Sequence, residues 1–250
     1  MDTDAGKPVV LVPGGPDGAD VVSRAQGAWS RHGLAVGDGV FREMSDVTWL
    51  QVGPYFADLR RPRRSAEGAR ALGGNVLVNA LNAARAFSGT AFGSGDRLTW
   101  VHDLDTVALP ADHHDAAVVL RFADLLVEAG EGYVERWQSA GPRGAEGLVL
   151  ERRTRDAGVL DARVVRVGNH AIGVWAAPAR GGARLRRTGD GRGGWTVGAR
   201  VGAQPLSRAV VSTMPSHGEL AGVLADAGGP MPSESGMARW EVVAELDVVA

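Results

Sequence analysis

Three stretches of the chain, DVTWLQVGPYFADLRRP from Asp46, FSGTAFGSGDRLTWVHDLDT from Phe87 and LLVEAGEGYVERWQ from Leu125, interleave aromatic with ionisable residues. The interval is the two-residue period of a β-strand, so alternate side chains share a face. That period sets Trp100 with His102 on one face, Tyr133 with Glu135 and Trp137 on a second, and Asp58 with Arg60 on a third. His102 is flanked by Asp103 and lies near Asp105, and a carboxylate beside an imidazole orients it for acid–base work near neutral pH. The alternative for His102 is a strand histidine satisfied by a neighbouring strand or by water. Glu135, between Tyr133 and Trp137, becomes a general acid or base if its face is enclosed, because desolvation penalises the carboxylate; facing outward it only pairs with an arginine. Asp58 and Arg60 form a buried ion pair, or Arg60 anchors an anionic ligand. Trp49, Trp100, Trp137 and Trp175 either line an apolar cavity together or fill the core one by one. The candidates are therefore His102, Glu135 and Asp103 for catalysis, with Trp49, Gln51, Tyr55, Asp58, Arg60, Trp100, Tyr133, Trp137 and Trp175 for ligand binding.

Composition limits the partners. A net charge of −2 argues against nucleic acid, which needs a concentrated basic surface, and reads the arginine clusters at 60–64 and 184–187 as solvated faces. The sequence contains no cysteine, which excludes disulfides, thiolate zinc sites and a cysteine nucleophile, and fits a reducing cytoplasm. No apolar run approaches the roughly 18 residues of a membrane span, and the opening MDTDAGKPVVLVPGG is too short in apolar residues for a secretory signal. His113-His114-Asp115 looks like a metal fragment, but adjacent histidines on a strand point opposite ways, so no metal is expected. The GGPDG and GDGRGG clusters lack the lysine and the strand-to-helix setting of phosphate loops, and no GxSxG, HExxH or dinucleotide fingerprint is present, so no cofactor is expected either.

The elements that must position these residues are mostly strands. Residues 1–18 read as a flexible lead, and residues 19–250 as one β domain. Ala19–His32 spaces Val22, Ala25 and Trp29 as a short amphipathic helix on the outside of the body. Gly53-Pro54 is expected to bend or bulge a strand running from Val47 to Arg60. Helical inserts are expected near 75–87 (NVLVNALNAARAF) and 217–228. From GTAF onward, short strands recur with Gly-rich breakers between them, ending with ARWEVVAEL. Ten or more antiparallel strands must hide their edges, and closure into a barrel able to hold a small ligand is the usual solution.

The combination of Trp49, Gln51, Asp58 and Arg60, the FSGT turn with Phe87 and Gly89, Trp100 with Asp103 and Asp105, and the acidic-aromatic hairpin Glu128, Tyr133, Glu135 and Trp137 resembles the Hri-type family of fungal and bacterial lipocalin-like proteins, over roughly Asp46 to Gly173. The chain departs from that pattern in placing His102 two residues after Trp100, where the relatives have it adjacent, and in a longer C-terminal third. The resemblance implies a mainly β, antiparallel lipocalin-like (calycin-type) barrel with a few short helices, and it implies no particular reaction.

The expected function is a barrel enclosing a small hydrophobic or aromatic molecule. One version is a cofactor-independent cyclase or isomerase of bacterial secondary metabolism using His102 and Glu135. Fold-level analogy and the Ala, Arg, Gly and Val bias of a GC-rich genome suggest it. The competing version is a non-catalytic carrier or regulatory binding protein. Neither version involves nucleic acid or membrane, and a homodimer is open to both.

Overall fold

Residues with β-branched, aromatic and alternating apolar character pair into antiparallel ladders wherever a turn residue lets the chain reverse. The computed structural model describes residues 18–37, 39–63, 81–107, 115–154, 157–176, 181–187, 195–202, 210–211 and 238–246. Eight strands, β1 (Gly27–Val36), β2 (Ser45–Val52), β3 (Tyr55–Pro62), β4 (Arg85–Ser94), β5 (Arg97–Asp105), β6 (Asp115–Phe122), β7 (Leu125–Gly130) and β8 (Tyr133–Ser139), form a closed barrel. Each pairs antiparallel with the next, and β8 returns to pair with β1. The lipocalin-like barrel is thus real, and it is complete by Ser139.

The later strands build a second sheet in the order β14-β13-β12-β11-β10-β9-β15, from β9 (Gly147–Thr154), β10 (Leu160–Val167), β11 (His170–Trp175), β12 (Gly181–Arg187), β13 (Trp195–Gly202), β14 (Val210–Val211) and β15 (Ala238–Leu246). This sheet lies on the outside of the barrel. Leu50, Leu59, Ala86 and Leu104 face outward from β2 to β5 and pack with Val149, Val165, Ile172 and Val174. Each fully buried Leu, Ile or Val in that layer contributes roughly 1.5–3 kcal/mol. Contact is close enough that a Cβ added to Gly182 on β12 would lie 2.3 Å from Ala86 Cβ on β4. Strands β2 and β3 are consequently buried on both faces, one toward the barrel interior and one toward the second sheet.

Three local expectations give way to the ladders. The helix expected over 19–32 stops early: α1 spans Gly18–Ala25, Gly27 adopts φ 135°, and Trp29 belongs to β1, which is hydrogen-bonded on both sides. The helix is amphipathic as expected, burying Val21 and Ala25 against the barrel core while Ser23 stays exposed. Arg24 ties it to Asp96 in the β4–β5 turn at 2.6 Å. Gly53-Pro54 does not bend one strand; it is the two-residue loop of a hairpin that pairs Val52 with Tyr55, with Gly53 at φ 53°. Of the helix expected over 75–87, Leu81 and Asn82 are helical, but Arg85 to Phe87 are in β4, paired on both sides. Ala83 and Ala84 form an exposed bend between the two, while residues 75–80, residues 1–17, His113, His114 and the insert expected near 217–228 lie outside the described residues. Among the described residues, no helix is long and apolar enough to cross a membrane.

Candidate functional site

Alternation along the closed strands decides what the barrel interior contains. On β2, Val47, Trp49 and Gln51 point inward while Thr48, Leu50 and Val52 point toward the second sheet; on β3, Phe56, Asp58 and Arg60 point inward. The end nearest α1 is apolar, filled by Val21, Ala25, Trp29, Leu98 and Leu126. Above it three tryptophans cross edge to face: the Trp49 ring centroid is 5.7 Å from that of Trp100 and 5.4 Å from that of Trp137, at 76° and 71°. They leave a half-open cavity of about 20 Å³, lined also by Phe56, Phe87, Asp58, Arg60, Asp115 and Glu128. That volume holds one water-sized group, since roughly 10–15 Å³ on the same scale accommodates one water.

The remaining interior is a belt of buried charge. Arg31, with a fully buried side chain, donates to Glu135 at 2.5 Å, to Glu43 at 2.9 Å and to the Asn82 side chain at 2.6 Å. Arg60 pairs with Asp58 at 3.0 Å, so the Asp58–Arg60 ion pair forms while both residues line the cavity. Glu128 accepts hydrogen bonds from the Tyr133 hydroxyl at 2.8 Å and the Trp137 indole N–H at 3.1 Å. Gly130 makes room for this: a Cβ there would fall 2.1 Å from the Tyr133 ring.

Glu128 stands directly opposite Glu135 across the β7–β8 ladder. Two carboxylates in that position repel, and both are buried. Burial, then the charges of Glu135 and Asp115, push Glu128 well above the usual carboxylate range. Burial raises Glu135 as well, against the opposing pull of Arg31 and Arg60, and it raises Asp58 against Arg60. The Glu135 Oε2 atom is buried without a hydrogen-bond partner. Chemically, the two carboxyls resist being ionised together, and Glu128, at the edge of the cavity, is pushed toward its acid form. Tyr133, buried beside these carboxylates, is pushed upward and stays a hydroxyl donor.

His102 lies inside, stacked on Phe87 at 4.3 Å and 10°. Its Nδ1 is 2.9 Å from Asp105, which also takes the Arg85 guanidinium. Burial works against the Asp105 charge, but hydrogen bonds from His102, Arg85 and the Val107 N–H hold its carboxyl below the usual range.

Nine of the twelve sequence-predicted residues, Trp49, Gln51, Asp58, Arg60, Trp100, His102, Tyr133, Glu135 and Trp137, are in the barrel interior. Three are not. Tyr55 faces outward and carries the Arg163 guanidinium 5.3 Å from its ring. Asp103 is ion-paired with Arg163 of β10 at 2.7 Å, away from the imidazole. Trp175 sits on β11 of the second sheet. The Asp103 expectation fails because neighbours on a strand point to opposite faces, so the residue next to His102 turns away from it; β5 also bulges there, with His102 paired to Gly89, Leu104 to Ser88 and Asp103 left as an extra residue. The bulge turns Asp105 inward, so Asp105 is the carboxylate that orients His102.

The interior residues absent from the candidate list are chiefly Glu128, Asp115, Arg31 and Asp105, although Asp105 was named beside His102, Glu128 in the acidic-aromatic hairpin and Asp115 in the His-His-Asp fragment. Glu128 had a signal: folding the β7–β8 hairpin about Glu131-Gly132 sets Gly130 against Tyr133 and Glu128 against Glu135. Arg31 had none, because it sits in a segment with helical spacing.

No family model matches the chain, and no curated protein sequence matches it. Among solved structures the chain is similar to the crystal structure of the uncharacterized protein YLR301w from Saccharomyces cerevisiae, at 14% identity and TM-score 0.52, covering 87% of this chain and 98% of that one. At that identity the likeness concerns the fold alone.

Proposed function

We propose that the chain is a small-molecule-binding barrel of the Hri-type, lipocalin-like kind, which takes one terminal group of its ligand between Trp49, Trp100 and Trp137. The supporting observation is the cavity itself, walled by three tryptophans and edged by the buried acid Glu128. An interior built only for stability has no need of an acid there, since apolar residues of equal volume fill a barrel at lower cost. With room for one water-sized group, the cavity admits the end of a ligand and leaves its body at the mouth.

A second reading, cofactor-independent isomerisation or cyclisation, is favoured by the Glu128–Glu135 pair. A carboxyl pushed toward its acid form can give a proton to a bound substrate, and His102, held by Asp105, adds an oriented imidazole on the inward face. Native mass spectrometry of the purified chain tests the binding reading. A discrete bound mass is expected, and its absence together with tryptophan emission unmoved by copurified extract counts against a ligand. Turnover of that compound by wild type, lost in Glu128→Gln and reduced in His102→Ala, separates enzyme from carrier.

A further inference from the structure

The carboxylates in and around the cavity are not matched by cations. Facing the interior are Asp58 and Arg60 from β3, Asp115 from β6, Glu128 from β7, Tyr133 and Glu135 from β8, Arg31 from β1, and Glu43 from the β1–β2 connection. Arg31 is occupied by Glu135 and Glu43, and Arg60 by Asp58. Arg85 is held by Asp105 and His102 against Phe87. Among the described residues, Glu128 is left with the Tyr133 hydroxyl and the Trp137 indole, and Asp115 stands 3.4 Å from the same hydroxyl, whose one proton lies closer to Glu128. The orphaned Glu135 Oε2 adds unspent acceptor capacity behind them.

Three indole rings beside the same two acids are the second half of a cation site, because the face of a tryptophan attracts positive charge more than any other side-chain ring. Size narrows the class further. An ammonium head is about as large as a water, which the cavity of about 20 Å³ accepts, whereas a quaternary ammonium is several times larger.

We propose that the cavity is a recognition site for the primary ammonium group of a small organic amine, seated against Trp49, Trp100 and Trp137 and hydrogen-bonded to Glu128 and Asp115. This rests on the reading that the cavity binds a small molecule and names its chemical class. The ammonium and the proton of the Glu128 carboxyl supply positive charge to the same group and so compete for it, which ties amine binding to pH.

The test is a tryptophan-fluorescence titration with 2-phenylethylamine and its neutral counterpart 2-phenylethanol, at constant ionic strength and at pH 6 and 8. The amine is expected to bind about tenfold or more tightly than the alcohol. It is also expected to bind more tightly at pH 8 than at pH 6, whereas Glu128→Gln abolishes that pH dependence and weakens the amine. Asp115→Asn, at a half-buried position that disturbs the core less, weakens the amine and spares the alcohol. Alcohol binding equal to amine binding overturns the ammonium assignment and leaves the pocket standing. Unchanged amine affinity in a Glu128→Gln protein with wild-type melting overturns it as well. No response to either probe overturns both the assignment and the binding reading beneath it.

Discussion

The barrel wall has two faces, and they treat carboxylates in opposite ways. Outside, at the seam with the second sheet, the acids meet guanidiniums: Asp46 takes Arg184 at 2.8 Å, Asp103 takes Arg163 at 2.7 Å, and Glu151 of β9 shares that Arg163 at 2.9 Å. Burial opposes ionisation there, but the arginines prevail and hold Asp46 and Glu151 below the usual range. Inside, around the cavity, burial prevails over the partners and Asp58, Glu128 and Glu135 are all pushed up, while Asp105, held by Arg85 and His102, stays below the usual range. The outer face uses charge to stitch two sheets together; the inner face carries acid that stability alone does not explain.

Breaking each face in turn sharpens that contrast. The largest loss is expected from Trp137→Ala, about 3–5 kcal/mol in denaturant unfolding, because it opens a void among the stacked rings and strips a hydrogen bond from Glu128. A loss under 1 kcal/mol would mean the rings are loosely packed. Next, Arg163→Leu is expected to cost about 3 kcal/mol, since it leaves Glu151 and Asp103 beneath the second sheet without their shared cation. A neutral effect would remove the charge-matching account of the seam.

The smallest and most diagnostic effect is in pH. Glu128 binds its proton more tightly folded than unfolded, so the stability it contributes is fully present below the ordinary glutamate range and is lost as pH rises through its folded value. The slope is up to about 1.4 kcal/mol per pH unit above roughly pH 4.3. Glu128→Gln is expected to flatten that slope and to be the more stable protein at pH 8. Asp46 and Glu151 act with the opposite sign, contributing above the ordinary carboxylate range and losing it as pH falls. A wild-type stability that climbs steadily from pH 5 to 8 would contradict the interior account.

The strands and the grouping of residues on shared faces were legible because the period of two survives any detail of packing, which is why Tyr133, Glu135 and Trp137 were set together and Asp58 with Arg60; which face turns inward was left open in the sequence and is decided by the closure of the barrel. What misled was information the local sequence does not hold. The spacing of Val22, Ala25 and Trp29 is helical, yet Trp29 is claimed by hydrogen bonds from strands far along the chain. Tyr55 has the chemistry of a pocket residue, but the second sheet makes the outer face a core as well, and burial there is indistinguishable by composition. Where one barrel ended and a second sheet began depended on β8 finding β1, a pairing without a mark in either strand.

The extra residue at Asp103 has a further consequence for how this strand can change over generations. Asp103 occupies no rung of the β4–β5 ladder. A chain lacking it would keep His102 and Asp105 on the inward side and Leu104 on the outward side, and would lose only the tie to Arg163. Gain or loss of a single codon at that point therefore edits the stitching between the two sheets without re-aiming the imidazole, so the lining of the barrel and its outer cladding are free to diverge separately.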